Sequence, residues 1–335
     1  MDSAGRGRVA MTPSVAAFLE QAGWAQARIT PMQADFSPRR YARLERADGR
    51  RAILMQAAAD QKTPAFVAIA CLLRDLELSA PVLYAAEPDN GLVLMEDFGD
   101  RNFGALLDAG EDAWPLYRRA TDVLAHLHQA FDAANAMPLP LFDAALFTAQ
   151  AELFLDAYIP FAQSREATPG EREGFRAAWL EALKPLDSLP QTLLLRDYMP
   201  DNLMDLPERE AWRGVGVLDF QDAGRGPIAY DLASLCEAVR RDGGPALQED
   251  VLAQYHRQNP AVALPDLRRA CRVLAAQRHT RILGIIARLA QQGRREKLAL
   301  LPRVGGYLAT LLKDDALRDV AKIIGTTESA FATRP

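Results

Sequence analysis

Residues 195–203 spell Leu195-Arg196-Asp197-Tyr198-Met199-Pro200-Asp201-Asn202-Leu203, a polar loop bracketed by two four-residue apolar runs at 192–195 and 215–218. Runs of that length and flanking chemistry read as strands and are too short for helices. Yet they sit inside a block where apolar residues recur at helical spacing, over 113–131, 144–159, 171–183, 227–240, 246–257, 265–292 and 296–312. A strand pair buried among helices, with one polar loop between its members, is compatible with few architectures. The first hundred residues have the opposite character. Extended runs at 41–47 and 51–57 flank Asp48-Gly49, a hairpin turn signal, and runs at 82–86 and 92–95 flank Pro88-Asp89-Asn90-Gly91. Between the hairpins, Phe66, Ile69, Ala70, Leu73 and Leu76 mark a helix over 64–77. The expected fold is α+β in two lobes with a cleft between them. Residues 1–96 form a small antiparallel sheet with one helix, and residues 97–335 form a larger, mainly helical lobe.

Composition removes several functional classes. A net charge of −5 with pI near 5.5 argues against a nucleic-acid binder that relies on a basic surface. No run approaches the roughly 18 apolar residues of a membrane span; the apolar part of 282–289 is broken by Arg288. The first nine residues carry arginines without an apolar stretch, so no secretion signal is expected, and Met11 offers an alternative start. Cys71, Cys236 and Cys271 are odd in number and far apart, which suits reduced thiols in a cytoplasm. Neither they nor the four histidines have zinc-site spacing. Oligomeric state leaves no signature in the sequence.

The bracketed loop carries the chemistry. It contains Arg-Asp-x-x-x-x-Asn, and Asp219 follows Asn202 by 17 residues at the end of the second apolar run. This is the catalytic-loop and metal-loop pattern of kinases. One carboxylate must accept the proton of an attacking hydroxyl, while an amide oxygen and a second carboxylate hold Mg²⁺ across the phosphates. The competing interpretation is a capping loop in which Asp197 and Asn202 only satisfy backbone N–H groups. Asp97-Phe98-Gly99 spells the kinase metal triplet but precedes the loop by about a hundred residues. That position makes Asp97–Asp100 the expected hinge instead, with adenine expected to bond to backbone near Met95, Glu96 and Asp97.

Two strings identify a resemblance. Val217-Leu218-Asp219-Phe220-Gln221-Asp222-Ala223 followed by Gly226-Pro227-Ile228-Ala229-Tyr230-Asp231-Leu232 resembles the aminoglycoside phosphotransferase-like kinases. Asp35-Phe36-Ser37-Pro38-Arg39-Arg40-Tyr41, the loop 195–204 itself, and Gln277-Arg278-His279-Thr280-Arg281-Ile282-Leu283-Gly284-Ile285-Ile286-Ala287-Arg288-Leu289 with Leu301-Pro302-Arg303 after it narrow it to the anomeric sugar kinases of N-acetylmuramate and N-acetylglucosamine. The likeness runs from about residue 14 to about residue 315. It implies a protein-kinase-like fold and MgATP-dependent phosphorylation of the sugar C1 hydroxyl in cell-wall (peptidoglycan) recycling. The first lobe would bind nucleotide, and the second would carry catalysis and bind the amino sugar. Asp197 would be the base, and Asn202 and Asp219 the Mg²⁺ ligands. Asp231 would brace the loop, or else be an ordinary helix-start carboxylate.

The departures from the kinase pattern are also informative. Leu195 and Met199 stand where related loops carry histidine. Only five of the 39 basic residues are lysines, and none lies on the strand Ala52-Ile53-Leu54-Met55-Gln56, where the phosphate-binding lysine belongs. Lys62 lies beyond that strand in a polar loop, where solvation is expected, and the helix after it begins without a glutamate partner. Residues 34–41 contain no glycine, so no glycine-rich cradle forms there. Ser37 and Arg40 therefore become the candidates at the phosphates, Arg40 through a guanidinium that grips phosphate bidentately. The alternative is that Arg39 and Arg40 form a solvated surface pair. Arg196 and Tyr198 flank the base and either touch the sugar or are structural. Asp222 is a candidate for a sugar hydroxyl or a second metal. Arg278 and Arg281 suit the lactyl carboxylate of N-acetylmuramate, or else a salt-bridged helix face.

Overall fold

The structure is a computed structural model that describes residues 12–32, 39–58, 62–134, 137–238, 241 and 243–325. In chain order it contains α1 (Pro13–Gln21), β1 (Arg28–Pro31), β2 (Arg40–Glu45), β3 (Arg51–Gln56), α2 (Thr63–Asp75), β4 (Leu83–Glu87) and β5 (Leu92–Glu96). There follow α3 (Phe103–Asp108), α4 (Ala113–Ala130), α5 (Ala144–Ala151), α6 (Ile159–Gln163), α7 (Pro169–Leu183), β6 (Gln191–Leu194), β7 (Leu203–Asp205), β8 (Val215–Val217) and β9 (Gly224–Pro227). The chain ends in helices α8 (Ala229–Cys236), α9 (Gly244–Gln258), α10 (Leu264–Gln291), α11 (Leu301–Leu311) and α12 (Arg318–Gly325). It divides into two compact units: Met1–Glu111 with Asp201–Asp222, and Asp112–Pro200 with Ala223–Pro335.

The first unit is built on a five-stranded antiparallel sheet in the order β1-β2-β3-β5-β4. Strands have a period of two, so Ala42, Leu44, Ala52, Leu54, Leu92 and Leu94 share one face. They pack with Val15, Phe18 and Leu19 of α1 and with Trp24. Thr12 caps α1 by accepting from the Val15 N–H, and Pro13 occupies its first turn, where a missing N–H costs nothing. Neither α1 nor β1 is among the sequence expectations; both enlarge the expected sheet and helix. The second hairpin turns through a short 3₁₀ segment, Pro88–Asn90, closed by Gly91 at φ +69°. A short ladder of β7 and β8 completes the unit, with Leu203 opposite Val217 and Val217 N–H donating to Ser79 C=O at 2.9 Å.

The second unit is helical, and the 28-residue α10 runs through it with a face buried from Leu267 to Ala290. Its ladder pairs β6 with β9, Leu194 opposite Gly224. This corrects the expected strand pair: the two apolar runs do not pair with each other, and each finds a partner the sequence hid. Gly224-Arg225-Gly226-Pro227 has almost no side-chain pattern, because a Cβ on Gly224 would meet the Phe142 ring at 2.2 Å. The expected helix over 144–159 also changes course. Phe154–Tyr158 is a π-helical turn between α5 and α6, and Pro160 follows without an N–H for Asp156. Among the described residues no helix is long and apolar enough to cross a membrane.

Gly91 offers a direct check of the sheet. A Cβ there would lie 2.0 Å from Ala57 O and would force an L-residue to hold a left-handed φ. Gly91→Ala should lower the unfolding free energy by roughly 2–4 kcal/mol, read by urea denaturation with tryptophan fluorescence.

Candidate active site

The loop after β6 is held by one buried carboxylate. Asp231, in the first turn of α8 and 0 % exposed, accepts from Leu195 N–H at 2.6 Å and from Arg196 N–H at 2.8 Å. Ser234, one helical turn on, donates its hydroxyl to Arg196 C=O at 3.2 Å. Between these ties Arg196 sits at φ +73°, a conformation that costs a non-glycine residue about 1–3 kcal/mol and persists only when over-determined. Asp197 N–H then folds back onto Leu195 C=O at 2.9 Å. Asp231 therefore braces the loop. Burial pushes its pKa up to about 6, against the pull of the two backbone N–H groups and the charges of Arg278 and Arg196.

Arg196 and Arg278 act on that brace, and Arg281 lies within reach of both. Arg196 lies over the rings of Phe142, at 4.2 Å, and Tyr230, at 5.7 Å, and donates to Gln150 Oε1 at 3.4 Å. Arg278 is 3 % exposed, lies 5.6 Å from the Tyr230 centroid, and among the described residues leaves Nη1 without a hydrogen-bond partner. Arg281 is half-buried, one turn along α10, within electrostatic reach of Tyr230, Arg196, Asp197 and Arg278. Burial lowers its guanidinium pKa. Tyr198 faces the interior at 1 % exposure, its hydroxyl donating to Ala120 C=O at 2.8 Å. That hydroxyl anchors the loop and has no free face for a substrate.

The residues expected to hold metal, Asn202 and Asp219, lie in the first unit. Leu218 N–H donates to Asn202 C=O at 3.0 Å just beyond the β7–β8 ladder, which brings Asn202 and Asp219 to the same end of it. Asp219 is exposed and takes φ +60°; its Oδ1 accepts from Gln221 Nε2 at 2.8 Å, and among the described residues Oδ2 is left open. Asparagine and aspartate side chains carry the hard oxygen donors that Mg²⁺ takes, and one of each stands at this ladder end. Asp222 Oδ1 meets Lys62 Nζ at 2.5 Å, so the lysine expected in solvent is tied to the loop although 62 % of its side chain is exposed.

Arg40 opens β2, half-buried and opposite Gln56. Its neighbour Arg39 is 5 % exposed and donates to Gln221 Oε1 at 2.7 Å. Sequence reasoning missed this contact, which spans 182 residues and has no local signal. Ser37 lies outside the described residues. At the expected adenine contact, Met95 is paired on both sides, with Ile53 and Leu83, and Glu96 N–H donates to Val82 C=O at 2.8 Å. Asp97 accepts from Gly99 N–H at 2.9 Å and from Arg43 Nη2 at 3.0 Å, with Asp100 gripping the same guanidinium. The kinase-like triplet Asp97-Phe98-Gly99 is thus bound into an arginine clamp.

The phosphotransferase enzyme family matches residues 28–271. The chain is 30% identical to the N-acetylmuramate/N-acetylglucosamine kinase of Caulobacter vibrioides, across 91% of this chain and 93% of that protein. It is 32% identical to the protein of the same name from Pseudomonas putida, across 84% and 82%. A choline/ethanolamine kinase family protein from Mesorhizobium loti shares the fold with a TM-score of 0.62 at 13% identity, covering 95% of this chain and 100% of that one.

Asp231 should leave a pH signature. Its folded pKa near 6 lies above the unfolded value of about 3.9. Between those values the folded chain keeps a proton the unfolded chain has released, so this group's contribution to stability falls as pH rises through the window. Asp231→Asn has no such proton. The stability of the wild type relative to Asp231→Asn should therefore drop by up to about 3 kcal/mol from pH 4 to pH 6.5, read by denaturation at each pH. A flat difference would contradict the assignment.

Proposed function

The chain belongs to the phosphotransferase enzyme family, and from that premise we propose that it is an ATP-dependent kinase that phosphorylates the C1 hydroxyl of N-acetylmuramate and N-acetylglucosamine. The names of its relatives support the sugar. The carrying observation is the loop itself, a carboxylate at Asp197 presented from a backbone that Asp231 pins at two amides. Asp197 accepts the proton of the C1 hydroxyl. The sugar oxygen forms its bond to the γ-phosphorus as the bond from phosphorus to the leaving ADP oxygen breaks, and the proton leaves Asp197 to solvent. Asn202 and Asp219 would hold Mg²⁺, which supplies charge neutralisation on the phosphates. A role in peptidoglycan recycling follows from those sugars. A cytoplasmic setting suits a user of ATP with three free cysteines.

The arginines around Tyr230 favour an acceptor with negative charge. N-acetylmuramate carries a lactyl carboxylate that N-acetylglucosamine lacks. Arg281, half-buried and within reach of Asp197, is the side chain that would meet it, while Arg278 is enclosed and contributes charge from behind. The same charges disfavour cationic acceptors such as choline or an aminoglycoside, which need anionic or aromatic surroundings. Retention of Asp197, Asn202 and Asp219 together disfavours a pseudokinase.

The test is ADP release from MgATP with N-acetylmuramate, N-acetylglucosamine, glucose, choline and kanamycin. Turnover should be confined to the two N-acetyl sugars, and Asp197→Ala should lower kcat by roughly 10²–10⁴ while nucleotide still binds. Near-normal turnover in that variant would remove Asp197 from the mechanism. Arg281→Met should raise KM for N-acetylmuramate by roughly 10- to 100-fold, the worth of a charge-assisted hydrogen bond, and leave KM for N-acetylglucosamine within about twofold. Equal losses on both sugars would place Arg281 away from the carboxylate.

A further inference from the structure

Arg39 is a costly residue to bury. A guanidinium at 5 % exposure has given up most of its water, and an apolar side chain of the same length would fill the space without that penalty. What it contacts explains its presence. Its Nη1 donates to Gln221 Oε1 at 2.7 Å, and Gln221 Nε2 donates to Asp219 Oδ1 at 2.8 Å. The guanidinium also lies 5.7 Å from the Phe66 ring centroid, and Phe66 stacks on Phe220 at 5.0 Å and 14°. The segment Asp219-Phe220-Gln221-Asp222 is therefore tied at successive positions. Gln221 goes to Arg39, Phe220 to Phe66, and Asp222 to Lys62 immediately before α2.

We propose that Arg39 is a positioning residue for the metal-binding carboxylate, acting through the amide of Gln221. The logic is one of donors and acceptors. A primary amide has one oxygen and one NH₂ group, and guanidinium can only donate. Arg39 therefore fixes the amide with Oε1 toward itself, which turns Nε2 toward Asp219. With the cation removed, the amide is free to rotate by 180° and set its oxygen against the Asp219 carboxylate, where like partial charges repel. The relay holds Oδ1 and leaves Oδ2 for the cation, on a residue whose backbone is already strained at φ +60°. Partners one step removed from a metal orient its ligands in this way, and their loss typically costs 10- to 100-fold in metal affinity.

The same contacts account for two absences. With no lysine on β3 and no glutamate in α2, the ion pair that fastens the helix to the sheet in protein kinases cannot form. Here α2 is fastened directly to the metal loop, by Lys62 on Asp222 and by Phe66 on Phe220.

The proposal rests on Asn202 and Asp219 being the metal ligands, and the experiment separates the two claims. Mn²⁺ binding to the ADP-bound full-length protein is followed by electron paramagnetic resonance, and binding of a fluorescent ADP analogue is measured in excess chelator. Arg39→Met keeps the length and apolar contact on Phe66 but removes the donors; Gln221→Met removes the amide. Each should weaken Mn²⁺ by roughly 10- to 100-fold, with metal-free nucleotide affinity and melting temperature nearly unchanged. The double variant should be no worse than either single one, because both break the same relay. Should Arg39→Met fail to fold, Gln221→Met carries the test. Unchanged Mn²⁺ affinity in the variants would overturn the relay. So would an equal loss of metal-free nucleotide binding in Arg39→Met, which would make Arg39 a phosphate ligand. Absence of Mn²⁺ binding in the wild type, or its survival in Asp219→Ala, would overturn the ligand assignment itself.

Discussion

One buried carboxylate fixes the backbone on which the proposed chemistry depends. Asp231 is fully enclosed and spends both oxygens on the amides of Leu195 and Arg196. Without those acceptors two buried N–H groups would lose their partners, and the left-handed turn at Arg196 would lose what over-determines it. The next residue is Asp197, so the direction in which the candidate base points is set by a side chain that touches no substrate. The arrangement costs stability at neutral pH, since the site disfavours the charge it needs. Arg196 and Arg278 offset part of that cost.

Charge is distributed with the same economy. In the helical unit, positive charge from Arg196, Arg278 and Arg281 gathers round Tyr230. In the sheet-based unit, Arg39 and Lys62 are both engaged with residues of the segment 219–222. Arg43 does comparable work just after β5, where it holds Asp97 and Asp100 and has its own pKa raised by them. Arginine suits these places because its planar fork serves several acceptors at once and remains charged when buried.

Much of the fold is legible in the sequence because its signals are local. Asp48-Gly49 and Asn90-Gly91 announce hairpins through the positive φ each turn needs, and both glycines adopt it. The loop from Leu195 to Asn202 is legible because kinase chemistry demands fixed spacing between base and metal ligand. What escapes is non-local. β9 is recognisable only by the glycines that let it approach Phe142, and Pro160 diverts a helix whose apolar spacing continues unbroken. Asp231 is readable as a brace or as a plain helix-start carboxylate, and only its two amide contacts decide. Arg39 is hidden beside Arg40 because its partner is 182 residues away. Tyr198, adjacent to the base, looks available for substrate until its hydroxyl is found on Ala120.

The proposed reaction transfers phosphate to the oxygen of the anomeric hydroxyl of an amino sugar. The most direct measurement is phosphorus NMR on the product formed from MgATP and N-acetylglucosamine labelled with carbon-13 at C1. A single new phosphate ester resonance is expected, split by two-bond coupling to the labelled carbon. An uncoupled ester would place the phosphate on another hydroxyl, and ADP without any sugar phosphate would contradict the account outright.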